Sequence, residues 1–192
     1  FEKMLYDQSQ LAIAYLEAFR LSGDDSYALV ARQLFAYLLR DMRDPGGGFY
    51  SAEDADSENP YSPGDHGEGA YYLWTEAEIR ELLHKDDAEL FIYSYGVLAD
   101  GNVEHDRLQE FTGRNILFRA RSADEAGTHF GLATDHIEQR LAASRAILFA
   151  RRSERKRPHL DDKIITSWNG LLIGALARGS IVLKDPALLE YA

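Results

Sequence analysis

The sequence predicts a mainly α-helical fold built of helical hairpins, with a few short β strands. Three observations carry that expectation. Apolar residues recur at three- and four-residue spacing through most of the chain. The segments with this spacing are joined by links of Gly, Pro, Asp and Ser, residues that stop one helix and cap the next. The runs suited to strands, such as Phe49-Tyr50-Ser51, are brief.

The first helix is expected from about Glu2 to Leu21, where Leu5, Ala12, Tyr15, Leu16 and Phe19 form an apolar face. Ser22-Gly23 ends it, because glycine supplies the left-handed residue that a helix end needs. Asp24, Asp25 and Ser26 offer N-caps to a second helix, which carries Tyr27, Val30, Leu34, Tyr37 and Leu38 inward to about Met42. So short a link makes the two an antiparallel hairpin. Asp44-Pro45-Gly46-Gly47-Gly48 then breaks the helix.

Phe49-Tyr50-Ser51 and Ala70-Tyr71-Tyr72-Leu73-Trp74 read as short strands, paired across an acidic loop, with Trp74 in the core. Thr75-Glu76-Ala77-Glu78 is the pattern of a capping box and opens a third helix to about Leu83. A fourth runs from Asp87 to about Tyr95. From Asp100 to Thr134 the periodicity fails, punctuated by Gly101, Gly113, Gly127 and Gly131, with Asn115-Ile116-Leu117-Phe118 as a short strand. A fifth helix follows from Asp135 to about Glu154, with Ile137, Leu141, Ser144 and Leu148 inward. The sixth, from about Ile164 to Lys184, is apolar nearly all round and is expected to be buried on several sides. Its Gly170 and Gly174 leave room for another backbone. Pro186 opens a seventh.

The 192 residues suffice for one domain, taken as residues 1–192. Cysteine is absent, which excludes a disulfide scaffold, a thiolate zinc site and a Cys nucleophile. The net charge of −11 argues against nucleic acid, whose phosphates call for a basic face. The one dense basic run, Arg151–Arg157, falls at a helix end, where it meets the negative end of the dipole. No apolar run is long enough for a bilayer and no signal peptide is visible, so no membrane partner is expected and a cytoplasmic location is. The chain begins at Phe1 rather than Met, which reads as a segment of a longer protein.

The residues richest in chemistry are Ser51 to Glu58, followed by Asp65, His66 and Glu68. Paired carboxylates are what acid–base chemistry on sugars requires: one protonates the leaving oxygen, the other activates water or attacks. The alternatives are a solvated acidic loop or a calcium site. Asp54, Asp56 and Glu58 resemble the start of an EF-hand loop, but Asn59 stands where the turn glycine belongs and Asp65 where the bidentate Glu belongs, so no metal is assigned. Phe49, Tyr50, Tyr71, Tyr72 and Trp74 flank the cluster, as aromatic faces do where sugar rings stack. Six His residues form no His-x-x-x-His pair, and neither a nucleophile elbow nor a phosphate loop is present, so no cofactor is implied. Asp161-Asp162-Lys163 lies just before Ser167-Trp168-Asn169-Gly170. That is either an acidic helix start complementing the dipole or the mouth of a cleft.

Four stretches together resemble the spermatogenesis-associated, thioredoxin-domain-containing proteins: Phe1 to Gln8, Phe49 to Ser57, Glu68 to Thr75, and Asp161 to Leu171. Tyr95-Gly96-Val97, Gly101-Asn102-Val103 and Gly113-Arg114-Asn115-Ile116-Leu117 fit as well. The resemblance implies an N-terminal thioredoxin-like domain, absent here. It also implies a toroid of six helical hairpins, similar to N-acylglucosamine 2-epimerases and six-hairpin glycosidases, of which this chain would be about half. Half a ring leaves an apolar edge exposed, so a homo-oligomer or the remainder of the parent chain is expected to cover it. The motif residues become cleft candidates: Asp54, Asp56, Glu68 and Asp162 for catalysis, and Glu2, Lys3, Tyr6, Asp7, Tyr72, Lys163, Trp168 and Asn169 for a sugar substrate. No epimerase His motif is present, so the residues leave open whether the parent is an enzyme. The rival expectation is a non-catalytic scaffold serving the thioredoxin-like domain. The fragment alone is expected to be inactive, because half a cleft cannot position a substrate.

Overall fold

The computed structural model describes residues 1–104 and 111–192, so His105 lies outside the described residues. In chain order the elements are β1 (Lys3–Met4), α1 (Leu5–Ser22), α2 (Asp25–Asp41), β2 (Ala52–Glu53), β3 (Asp56–Glu58), β4 (His66–Glu68), α3 (Glu76–Leu82), α4 (Lys85–Tyr95), α5 (Ala123–Phe130), α6 (Thr134–Arg152), β5 (Leu160–Asp161) and α7 (Thr166–Val182). A 3-10 helix, Pro186–Tyr191, follows. The fold is mainly helical with a few short antiparallel strands, as the periodicity predicts. Among the described residues no helix is long and apolar enough to cross a membrane. The chain divides into two compact units, Phe1–Ala55 with Pro158–Ala192, and Asp56–Arg157.

In the first unit α1 and α2 form the expected hairpin. Gly23 turns the chain at φ 71°, its N–H donating to Phe19 O at 2.8 Å. Asp24 caps α2 by accepting from the Ser26 N–H at 2.9 Å. Helix α1 also packs against α7, and Leu5, Leu16, Phe35, Leu38, Met42, Leu172 and Leu176 make the core. Gly179 lets α7 close on α2, since a Cβ there would stand 2.6 Å from the Phe35 ring. The glycine turn reverses at Gly47 and Gly48, with φ of 106° and 83°.

Helix α7 departs from the expectation of burial on several sides. Leu172, Ala175 and Leu176 are buried, but Leu171, Ile173 and Ile181 are exposed, and a Cβ at Gly170 or Gly174 would meet open space. An apolar pattern reports that a face avoids water, not what covers it.

The second unit packs α3, α4 and α5 around α6. Trp74, Ile79, Leu90, Phe91, Ile137 and Leu141 are its core, so Trp74 is buried as expected. Three expectations are corrected here. The aromatic runs are not the strands. Phe49 makes only an isolated bridge to Arg43, residues 70–72 are turn, and the strands between the two runs are β2, which pairs with β1 and β5, and the polar hairpin β3-β4. The rings of Tyr71, Tyr72 and Trp74 instead take arginine guanidinium groups on their faces. In the Asn115 to Phe118 stretch, only Asn115 pairs, as a bridge to Trp74. Lastly, α5 fills part of the stretch thought irregular. Ser122 and Glu125 close a full capping box, and Gly127, read as a breaker, is a packing glycine whose Cβ would lie 2.7 Å from Leu132 O.

Candidate functional site

Within the first unit the sheet order β1-β2-β5 brings three of the four motif stretches side by side. Lys3 is opposite Glu53 and Met4 opposite Ala52, while Ala52 is opposite Asp161 and Glu53 opposite Leu160. Ser51 N–H donates to Asp161 O at 3.2 Å and Asp54 N–H to His159 O at 2.9 Å, extending the ladder at both ends. Each strand is only two residues long, so the helices and not the ladder hold it in place.

Side chains alternate across a strand, so Lys3 and Glu53 share one face. Glu53 is 1% exposed, and Lys3 Nζ lies 3.2 Å from its Oε1 while donating to Phe1 O at 2.9 Å. Glu53 is the buried member of this pair, the Lys3 side chain being 21% exposed; sequence reasoning missed Glu53 because an acidic run gives no sign of which member turns inward. Asp54, Asp162 and Lys163 are exposed, as are Glu2 and Asp7. Lys163 Nζ sits 2.7 Å from Asp161 Oδ2 and holds that carboxyl below the usual range.

Helix α7 begins beside this sheet. Its N-cap, Ile165, has no side chain to give the first N–H groups, and its first turn holds no acidic residue. Trp168 projects from that turn and meets Tyr6 of α1 edge to face, ring centroids 4.8 Å apart at 69°. Asn169 is structural: its amide accepts from Phe49 N–H at 2.8 Å and donates to Phe49 O and Ile165 O, both at 3.0 Å. These bonds, to the backbone of Phe49 and Ile165, tie the glycine turn to α7. Tyr50 donates to Asp44 Oδ2 at 2.6 Å, a bond that pushes its phenol up, with the charge of Asp162 adding to the effect.

The remaining candidates belong to the second unit. Asp56 and Glu68 face each other across the β3-β4 hairpin, and both are exposed. Tyr72 lies edge to face with Tyr71 at 4.9 Å and has the Arg152 guanidinium 5.0 Å from its centroid.

A second centre in this unit was not foreseen. Arg155 donates to Tyr71 O and Leu73 O at 2.8 Å, to Glu78 Oε2 at 2.9 Å and to Tyr61 OH at 3.2 Å, and lies 4.2 Å from the Trp74 ring centroid. Tyr61 also donates to Glu78. Burial, then that bond, push its phenol up to about 12. The expected capping box is therefore only half formed. Thr75 accepts from Glu78 N–H at 3.1 Å, but the Glu78 carboxylate turns to Arg155 and Tyr61. Likewise Arg155 is not a solvated charge at a helix end. A cavity of about 530 Å³ opens here, between Tyr61, Glu78 and Arg155 on one side and Glu58, Glu154 and Lys156 on the other. Lys156 pairs with Glu58 at 2.9 Å, and Arg151 with Glu154.

No family model matches the chain. Over its whole length it is 39% identical to spermatogenesis-associated protein 20 of Homo sapiens, 38% to that of Mus musculus and 37% to that of Rattus norvegicus. Each match covers 26% of the relative, so the chain spans about a quarter of the length of these curated relatives. The relatives and the motif resemblance agree on the spermatogenesis-associated proteins, and the relatives' name states no activity.

Proposed function

We propose that the chain is part of a carbohydrate-processing protein, epimerase- or glycosidase-like, and that sugar binds where the β1-β2-β5 sheet meets the start of α7. In this reading the helices form part of a toroid in a protein that also carries a thioredoxin-like domain. Tyr6 and Trp168 stack on the apolar face of a sugar ring, while Asp54, Asp162 and Lys163 take its hydroxyls. One of these carboxylates serves as acid or base. The observation that supports this most is the meeting of Tyr6 and Trp168 at 4.8 Å beside three charged motif segments gathered by one small sheet.

The test uses the two tryptophans as an internal contrast. Trp74 is 1% exposed, so acrylamide quenching reports mainly on Trp168. Mono- and disaccharides should protect Trp168 from quenching and give heat in calorimetry, and Trp168→Ala or Tyr6→Ala should weaken binding by about tenfold, the loss of one stacked ring. Turnover is sought in the full-length relatives. Neither protection nor heat with any sugar would sink the proposal.

The outer face of α7 favours a second reading, a non-catalytic binding module. Leu171, Ile173 and Ile181 are exposed along it, and Gly170 and Gly174 are open to close approach. Its occupant is a second copy of the chain, because two helices meeting at small residues bring their backbones together. Sedimentation should give a dimer that Gly174→Leu dissociates; a monomer at every concentration would exclude it.

A further inference from the structure

We propose that the second unit holds a binding site for a small apolar carboxylic acid, in a cavity along one face of α6. The cavity measures about 250 Å³ and is walled by Trp74, Phe91, Tyr95, Leu117, Leu148 and Phe149, with Arg145 and Arg152 as its cations. It is smaller than the roughly 300–1,000 Å³ of drug-sized sites, which limits the occupant to a small molecule.

The sequence builds it from two helices. Arg145, Leu148, Phe149 and Arg152 fall at i, i+3, i+4 and i+7, so they share one face of α6. The two arginines are two turns apart, about 10 Å along the axis. Phe91 and Tyr95 are one turn apart on α4, and their rings stack at 4.2 Å and 17°. Trp74, Phe91 and Leu148 are almost fully buried, and Phe149 stands at the rim, 41% exposed.

The arginines set this cavity apart from an ordinary apolar gap. Arg145 donates to Tyr95 OH at 3.1 Å and meets no carboxylate among the described residues. Arg152 makes no side-chain hydrogen bond or ion pair among them, and its Nε is buried without a partner. Acidic groups are not scarce, since the chain has 32 against 21 Lys and Arg. Elsewhere in the unit Arg119 meets Glu138 at 2.8 Å, Arg140 meets Asp87 at 2.6 Å and Arg155 meets Glu78 at 2.9 Å. Arg152 is instead held by rings: Tyr72, Tyr71 and Phe149 lie 5.0, 5.5 and 5.6 Å from its guanidinium carbon. Aromatic faces fix the plane of a guanidinium but do not satisfy its in-plane N–H groups, which require an acceptor.

These features select the ligand class. A planar fork of N–H donors fits a carboxylate with two parallel bonds. The aromatic walls accept a ring or short hydrocarbon body and offer few partners to sugar hydroxyls. A cation would be repelled, and a neutral apolar molecule would leave the Arg152 Nε–H unmet. An arylalkanoic acid satisfies the walls and the guanidinium together.

The probes are 3-phenylpropionate and its uncharged counterpart 3-phenylpropanol, titrated into the intact protein and followed by the ¹⁵N-resolved Arg Nε–H resonances. The acid should saturate, shift the Arg152 Nε–H and bind about tenfold more tightly than the alcohol, the difference made by a charge-assisted pair. Arg152→Gln should remove that preference while leaving alcohol binding unchanged. No shift at millimolar acid, or equal binding of acid and alcohol, would overturn the proposal. That comparison needs no substitution, so it stands even if Arg152→Gln fails to fold.

Discussion

Arg155→Met is expected to destabilise the second unit by about 3–5 kcal/mol, the range for breaking one side of a buried ion pair. The Arg155 side chain is 7% exposed and that of Glu78 17% exposed. Removing the guanidinium strands the Glu78 carboxylate, frees the carbonyls of Tyr71 and Leu73, and takes the cation from the Trp74 face. The group ties together the turn after the acidic loop, the first turn of α3 and the segment after α6. Urea denaturation of the intact chain measures the loss. Glu78→Leu added to Arg155→Met should recover a good part of it, because no charge then remains buried. If Arg155→Met costs under about 1 kcal/mol, as for a surface ion pair, the hub reading is wrong.

Asn115→Leu should cost about 3 kcal/mol, from backbone groups left unpaired in the interior. Asn115 is fully buried, and its amide accepts from Leu98 N–H at 2.8 Å while donating to Leu98 O at 3.0 Å and Trp74 O at 3.2 Å. Its own N–H and C=O pair with the backbone of Trp74. Leucine has the right size but none of these partners. The segment after α4 should loosen first, seen as faster amide exchange at Leu98 and Trp74, and protection unchanged from the parent protein would refute the assignment.

The helices other than α5 were legible because each is written in local terms. Alternating apolar spacing, Gly23 at a left-handed turn, and Asp24 and Thr75 at N-caps require only near neighbours. The failures share a cause too. Gly127 reads as a breaker locally but is demanded by the Leu132 carbonyl beside it. Tyr71, Tyr72 and Trp74 look like a strand, yet their faces are used by Arg152 and Arg155, from the far end of the unit. The candidate site was legible in part. Motif residues pointed to the segments that β1, β2 and β5 bring together, but not to Glu53 as the member turned inward, nor to Asn169 as a clamp on Phe49.

Most helix positions, several of their caps and the acidic character of the loops thus follow from spacing along the chain, since those energies depend on residues within a turn of one another. Which charges are buried was decided by folding alone. Glu78 and Arg155 are 77 residues apart, and Lys3 and Glu53 also come from distant segments. A carboxylate reads the same in a solvated loop and in an ion pair until its partner arrives from elsewhere in the chain, and burial then makes the partner's identity matter.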